Sequence, residues 1–323
     1  MPRGEALRAR LGEITRARRI GEARADETGA AAICEMEHLS ATPRAGTAPA
    51  DLPAVAKPRR PRPKPMRNGA AAGAEARVGV EAFLPGGEWR DGSGAVYVHE
   101  RLRSEIERPR SHWGQLGVPP ADEVDLVALV ACGLERALFL DLETGGLSSS
   151  PVFLAGTMHW NGKDFVIRQY FARHYGEEGA LLRAVSECAR DFEFLVTFNG
   201  KSYDAPFLAT RAVIHGVRLT LPPRHLDLLH ASRRRWKREL SNCRLQTLEY
   251  HVCRRRRVGD VPGDEVPGLY HDYVRSGDPW RLVPVFHHNL LDVITMAEIV
   301  RTLCDPRRGP PQSDPEDWPS RPE

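Results

Sequence analysis

Four acidic side chains in three short segments carry the chemistry of which this chain is capable. Asp141 and Glu143 stand in Asp141-Leu142-Glu143-Thr144-Gly145-Gly146, at the end of the apolar run Ala137-Leu138-Phe139-Leu140. Asp204 closes the segment Phe198-Asn199-Gly200-Lys201-Ser202-Tyr203-Asp204, and Asp292 closes His287-His288-Asn289-Leu290-Leu291-Asp292. Carboxylates are hard oxygen donors. Four of them at the edges of regular elements, with histidines beside the last, suit two divalent cations placed around a phosphodiester. Without metal such acids repel one another, and some should hold protons through raised, interdependent titrations. Two Mg2+ or Mn2+ ions about 3.5–4 Å apart would remove that conflict and clamp an in-line displacement at phosphorus.

The elements that must position these groups are legible from pattern. Ala137–Glu143 is a nearly continuous apolar run and predicts a central strand covered on both faces. Val152–Trp160 and Phe165–Phe171 are strands joined by the turn Asn161-Gly162-Lys163-Asp164. Phe194–Phe198 and His225–Leu229 read as two further strands, and Ala95–Val98 as a short one ahead of the core. Helical patterns cover Glu177–Arg190, Ala205–His215, Ser232–Leu240, Leu245–Cys253, about Val266–Arg275 and Val283–Leu303. Three hairpin-linked strands followed by two that alternate with helices predict an α/β fold, a mixed five-stranded sheet flanked by helices.

Within those elements the spacing is informative. Asp141 and Glu143 are two apart on a strand, so both leave the same face. A buried strand ending in two carboxylates brings costly charge to the edge of a core, and the glycines that follow allow a backbone to approach closely. Asp204 is placed to cap a helix, with Pro206 in its first turn, and this is compatible with metal binding. Asn199 can satisfy its own loop, or orient Asp204 or a phosphate. His288 and Asp292 are four apart on one helix face, while His287 belongs to the first turn or the loop before it. Arg233-Arg234-Arg235-Trp236-Lys237-Arg238 mixes charge with an aromatic, which suits backbone tracking plus base stacking, though Trp236 equally fits a core and the charges a solvated face. Arg254-Arg255-Arg256-Arg257 is a second basic run.

Composition sets the outer limits. The formal charge of +3 is uneven, because residues 1–75 hold 14 Lys+Arg against 9 Asp+Glu and leave the rest at −2. Nucleic-acid contact by the folded part must therefore use local patches. The six cysteines make no C-x-x-C pair and no zinc spacing, and they read as reduced thiols. No apolar run is long enough to span a membrane, and the N-terminus has no signal core. These features point to a cytoplasmic protein with no membrane partner. Residues 1–75 read as a flexible, disordered basic Ala/Pro/Arg-rich tail centred on Lys57-Pro58-Arg59-Arg60-Pro61-Arg62-Pro63-Lys64-Pro65. The expected divisions are that tail, a small lead-in over 76–133, the main domain over 134–306 and a disordered tail over 307–323.

Taken in order, the D-x-E, N-x-x-x-Y-D and H-N-x-x-D segments resemble the DEDD exonucleases of the RNase H-like superfamily. Val261-Pro262-Gly263, Val266-Pro267-Gly268-Leu269-Tyr270 and His288-Asn289-Leu290-Leu291-Asp292 are similar to the YprB-type group within it. The resemblance implies an RNase H-like fold and 3′–5′ exonuclease activity, with Asp141, Glu143, Asp204 and Asp292 as ligands of two divalent cations. It also implies a general base five or four residues before the last Asp. His287 fits the first spacing and His288 the second, where the family has Tyr. Thr144, Gly145, Asn199, Tyr203, Arg235 and Lys237 are the expected substrate contacts. The expected partner is single-stranded nucleic acid or a 3′ end, DNA or RNA, with no nucleotide cofactor. A structure-selective endonuclease on the same fold, or a binding module without turnover, are the alternatives.

Overall fold

The computed structural model describes residues 79–107, 113, 116–147 and 149–305. The two expected tails lie outside the described residues. One mixed sheet organises the rest. Its strands are β1 (Gly87–Asp91), β2 (Gly94–Leu102), β3 (Ala137–Thr144), β4 (Val152–Trp160), β5 (Phe165–Phe171), β6 (Phe194–Thr197) and β7 (Arg224–Asp227). They lie in the order β1-β2-β5-β4-β3-β6-β7. The pairs from β1 to β3 are antiparallel, whereas β3, β6 and β7 run parallel.

The sheet therefore has seven strands, not the expected five. The additional pair is a hairpin turned at Asp91–Gly94 and hydrogen-bonded through β2 to the outer side of β5. Strand β1 is easily overlooked in sequence. Only Trp89 of its residues is even partly covered, so it has no apolar alternation to betray it.

Among the described residues seven α-helices flank the sheet: α1 (Val124–Cys132), α2 (Glu178–Ala189), α3 (Asp204–Ile214), α4 (Leu228–Trp236), α5 (Leu245–His251), α6 (Val266–Ser276) and α7 (Val283–Leu303). Their apolar sides build two clusters, one on each face. One gathers Leu140, Leu142, Leu181, Val185, Leu208 and Tyr270, where the Tyr270 ring stacks on Phe153 at 4.0 Å. The other gathers Phe139, Phe165, Val196, Leu226, Trp236, Val293 and Ile294. The expected strand His225–Leu229 ends earlier, at Asp227. There the Asp227 carboxylate accepts the Leu229 N–H at 3.0 Å, and this cap makes Leu228 and Leu229 the first turn of α4.

Helix α7 decides where the site lies. It is buried on almost every side, so its polar residues must find partners inside the protein. Among the described residues no helix is long and apolar enough to cross a membrane.

Candidate active site

Strands β3, β6 and β7 are parallel, so their C-terminal ends open on one edge of the sheet. Along β3, Leu140 and Leu142 point into one cluster, while Ala137 and Phe139 point into the other, under α7. Asp141 and Glu143 continue the second row by strand alternation. Helix α7 lies over them and presents His288, Asn289 and Asp292 from its N-terminal half. Asp204 opens α3, next to the loop after β6. Glu143, Asp204 and Asp292 are only 8, 6 and 9% exposed.

These acids feel one another. Burial lifts the Asp141 carboxyl well above the usual range, and the charges of Asp292, Glu143 and Asp204 push it further. Burial also lifts Glu143 to about 8, with Asp292 and Asp204 adding to it while His288 opposes. Asp204 rises to about 7, again from burial, with Asp227 and Asp292 adding and backbone hydrogen bonds resisting. Asp292 rises through burial against the pull of Arg257 and His288. The four carboxylates named from sequence thus share one electrostatic neighbourhood.

Their compensation is partial and specific. The Arg257 guanidinium donates to Asp292 and Glu249, and reaches Asp260 at 3.1 Å. His288 places Nδ1 2.7 Å from Asp260 and Nε2 3.5 Å from Asp292. Burial pulls its imidazolium down, but the Asp260 hydrogen bond and the Asp292 and Glu143 charges outweigh this and hold it at about 9. Burial likewise lowers His287, for which no hydrogen bond to an acid is seen among the described residues. Asn289 donates to Asp141 Oδ2 at 2.8 Å.

The remaining expected contacts fall into two groups. Thr144 closes β3, and Gly145, Asn199 and Tyr203 lie on the loops at this edge. The Thr144 hydroxyl donates to the Gly146 carbonyl at 2.9 Å and so shapes the turn. The Gly145 carbonyl faces His271 Nε2 at 2.7 Å, and a Cβ on Gly145 would stand only 3.2 Å from that ring and from Pro151. Asn199 takes a left-handed φ of 66°, and its N–H donates to Asp227 at 2.9 Å, as does Lys201's at 3.0 Å. Tyr203 is 49% exposed, beside Asp204. Arg235 and Lys237 lie at the far end of α4, and Arg235 pairs with Glu239 at 3.6 Å. Trp236 is core, at 2% exposure. The second basic run is split by alternation: Arg255 and Arg257 turn inward, Arg254 and Arg256 outward.

Three residues of the candidate site were missed by sequence reading. Asp260 holds His288, Arg257 balances Asp292, and Asp227 ties down the loop that leads to Asp204. A carboxylate just before the Val261-Pro262-Gly263 turn was the available signal for Asp260. Nothing in a run of four arginines tells which of them turn inward.

A family model for the RNase H superfamily matches residues 138–304, more than half of the chain, and this interval holds all four acids. The chain belongs to the RNase H superfamily. Over 204 residues it is 33% identical to the uncharacterized protein YprB of Bacillus subtilis (strain 168). That match takes in 61% of this chain and 47% of YprB, so the chain spans about half the length of this curated relative. Among solved structures it is similar to a family B DNA polymerase from Pyrobaculum calidifontis, with TM-score 0.43, 18% identity, and coverage of 52% of this chain and 24% of that one. It is also similar to Brucella melitensis NrnC bound to pGG, with TM-score 0.27, 13% identity, and coverage of 52 and 83%. A structure described as the apo form of a nuclease gives TM-score 0.27, 17% identity, and coverage of 57 and 88%.

The donor set suits a hard divalent cation. It offers buried carboxylate oxygens, and their mutual repulsion would be relieved by added positive charge. Among the described residues no three His, Cys, Asp or Glu side chains already form an ion-holding group. Asp292 and Asp141 are each engaged elsewhere, with Arg257 and Asn289.

Proposed function

We propose that this RNase H superfamily protein is a metal-dependent nuclease, a hydrolase of phosphodiester bonds that acts as a 3′–5′ exonuclease. The observation that carries the reading is that α7 seats Asn289 on Asp141 and His288 beside Asp292, with Glu143 and Asp204 buried near enough to add to the same charge. A merely structural site would gain nothing from such repulsion. Asp141, Glu143, Asp204 and Asp292 would hold two Mg2+ or Mn2+ ions. When bound, these ions would neutralise charge on the phosphoryl oxygens and acidify a water.

The chain's own residues have distinct tasks. His288, held by Asp260 at Nδ1, presents Nε2 to the Asp292 side of the site, where as an imidazolium it orients the attacking water; it would take that water's proton only once bound cations offset the acid charges that hold it protonated. His287 is second to it, because it lacks that orienting partner. Glu143 orients the same water. The Thr144–Gly145 backbone, Asn199 and the exposed Tyr203 ring line the approach for a nucleotide. Arg235 and Lys237 add phosphate contact farther along a single strand. The 3′–5′ polarity rests on the motif resemblance, and the substrate class is nucleic acid, DNA or RNA.

The test is cleavage of 3′- and 5′-labelled DNA and RNA single strands in Mg2+, Mn2+ or EDTA. A stepwise ladder from the 3′ end, abolished by EDTA, is expected. A single internal cut would make the protein an endonuclease, and metal-independent binding without cleavage would make it a binding module.

A further inference from the structure

Asp141, Gly156 and Gln169 form a row across three neighbouring strands. Asp141 on β3 is the register partner of Gly156 on β4, which is in turn the partner of Gln169 on β5. The middle position has no side chain, and the amide of Asn289 from α7 fills the space. A Cβ on Gly156 would stand 2.2 Å from Asn289 Oδ1, 2.7 Å from its Cγ and 2.8 Å from its Nδ2. No real Cβ tolerates such distances against a group held on all sides, and Asn289 is fully buried.

The amide's two ends are both engaged. Nδ2 donates to Asp141 Oδ2 at 2.8 Å and lies 3.2 Å from the Asp141 carbonyl oxygen. Oδ1 accepts from Gln169 Nε2 at 3.0 Å, and Gln169 also donates to the Phe286 carbonyl at 2.9 Å. The Asp141 carbonyl can only accept, so the amide orientation is fixed. Gln169 is itself buried, at 2% exposure.

We infer that Asn289, seated over Gly156 and anchored by Gln169, is a positioning residue that commits Asp141 Oδ2 to the protein and leaves Oδ1 as the oxygen aimed at a divalent cation. This rests on the nuclease reading above. The brace explains why an uncharged amide stands among acids: a carboxylate at 289 would add repulsion, and an apolar group would leave Asp141 free to rotate. Partners of this kind typically change metal affinity or activity by about 10- to 100-fold when removed.

The test separates shape from hydrogen bonding. Gly156→Ala alone should lower the melting temperature, since its Cβ meets the amide. Gly156→Ala with Asn289→Ala removes the clash and fills the vacated space, so the melting temperature should recover. The Mn2+ dissociation constant, measured by calorimetry on the full chain, should nonetheless stay weakened by about tenfold or more. In single-strand cleavage kcat should fall while KM holds. Asn289→Leu, which keeps the branched shape without the donor, should behave the same way. A folded double variant or Asn289→Leu with wild-type Mn2+ affinity and kcat would overturn the brace. If the wild-type protein binds Mn2+ but cuts no strand, the nuclease reading fails, and the shift in dissociation constant still decides the brace.

Discussion

Two buried ionic clusters in this protein are built on opposite principles. At Glu178, on the first turn of α2, one carboxylate meets more partners than it has charge. It accepts from Arg211 Nε at 2.6 Å and from the Val152 N–H at 2.9 Å, and its other oxygen meets a second Arg211 nitrogen and His215 Nε2 at 2.8 Å. At the C-terminal edge of β3, Asp141, Glu143, Asp204 and Asp292 have one guanidinium, one imidazolium and one amide among them, and Asp260 and Glu249 draw on the same two cations. The first cluster is complete as it stands and joins α2, α3 and β4. The second has too little positive charge for its carboxylates, which are driven to hold protons instead. Structural ion pairs are closed, whereas sites that bind ions are left open.

The sharpest way to test this contrast is to remove one acid from each cluster. Asp141→Asn or Asp292→Asn should cut strand cleavage by on the order of a thousandfold or more. Asp141→Asn should also raise the melting temperature in EDTA, because a repelled carboxylate has gone. Glu178→Gln should do the reverse. It leaves Arg211 without a countercharge and should cost about 3–5 kcal/mol in chemical denaturation, while the folded fraction keeps cleaving.

The pH dependence of the metal-free protein follows from the same excess charge. Glu143 is raised from 4.5 to about 8 and Asp204 from 3.8 to about 7. The folded state therefore holds protons that the unfolded state has lost, and stability falls as pH rises through those values. His288 is raised from 6.5 to about 9, so its contribution is complete below pH 6.5 and is lost as pH passes through about 9. Both effects have one sign. The melting temperature in EDTA should fall steadily from about pH 5 to 9, and saturating Mn2+ should flatten the curve. A flat curve in EDTA would mean that the acids do not interact.

Smaller effects should come from residues that act through others. Asp260→Asn keeps a hydrogen-bond partner for His288 but removes its charge, and kcat should fall by about 10- to 100-fold with KM little changed. Arg235→Gln and Lys237→Gln should leave kcat intact. Each should reduce the salt dependence of strand binding by a slope of about one, with roughly twofold weaker affinity at moderate salt.

Much of this was readable in the chain itself. The apolar run into Asp141-Leu142-Glu143 marks a central strand, because a strand covered on both faces has no polar alternation to obscure it. The four-residue step from His288 to Asp292 marks a shared helix face, because helical periodicity is local. The β1–β2 hairpin was half seen, since a solvated edge strand resembles a loop in composition. The two basic runs were left open between surface and interior, and each proves to have a buried member. Trp236 is core rather than surface, and Arg257, in a run that reads as a charged surface, is an internal counter-ion.

The sequence by itself determined which residue types could do chemistry and on which local elements they ride, because spacing along a strand or helix fixes direction within a few residues. Only the tertiary structure decided the company they keep. Asp260 meets His288, Arg257 meets Asp292, and Gln169 reaches Asp141 through Asn289 over a glycine on the strand between them. Those pairings join residues up to 148 positions apart. They are set by the order of strands and the seat of one buried helix, which no local pattern records.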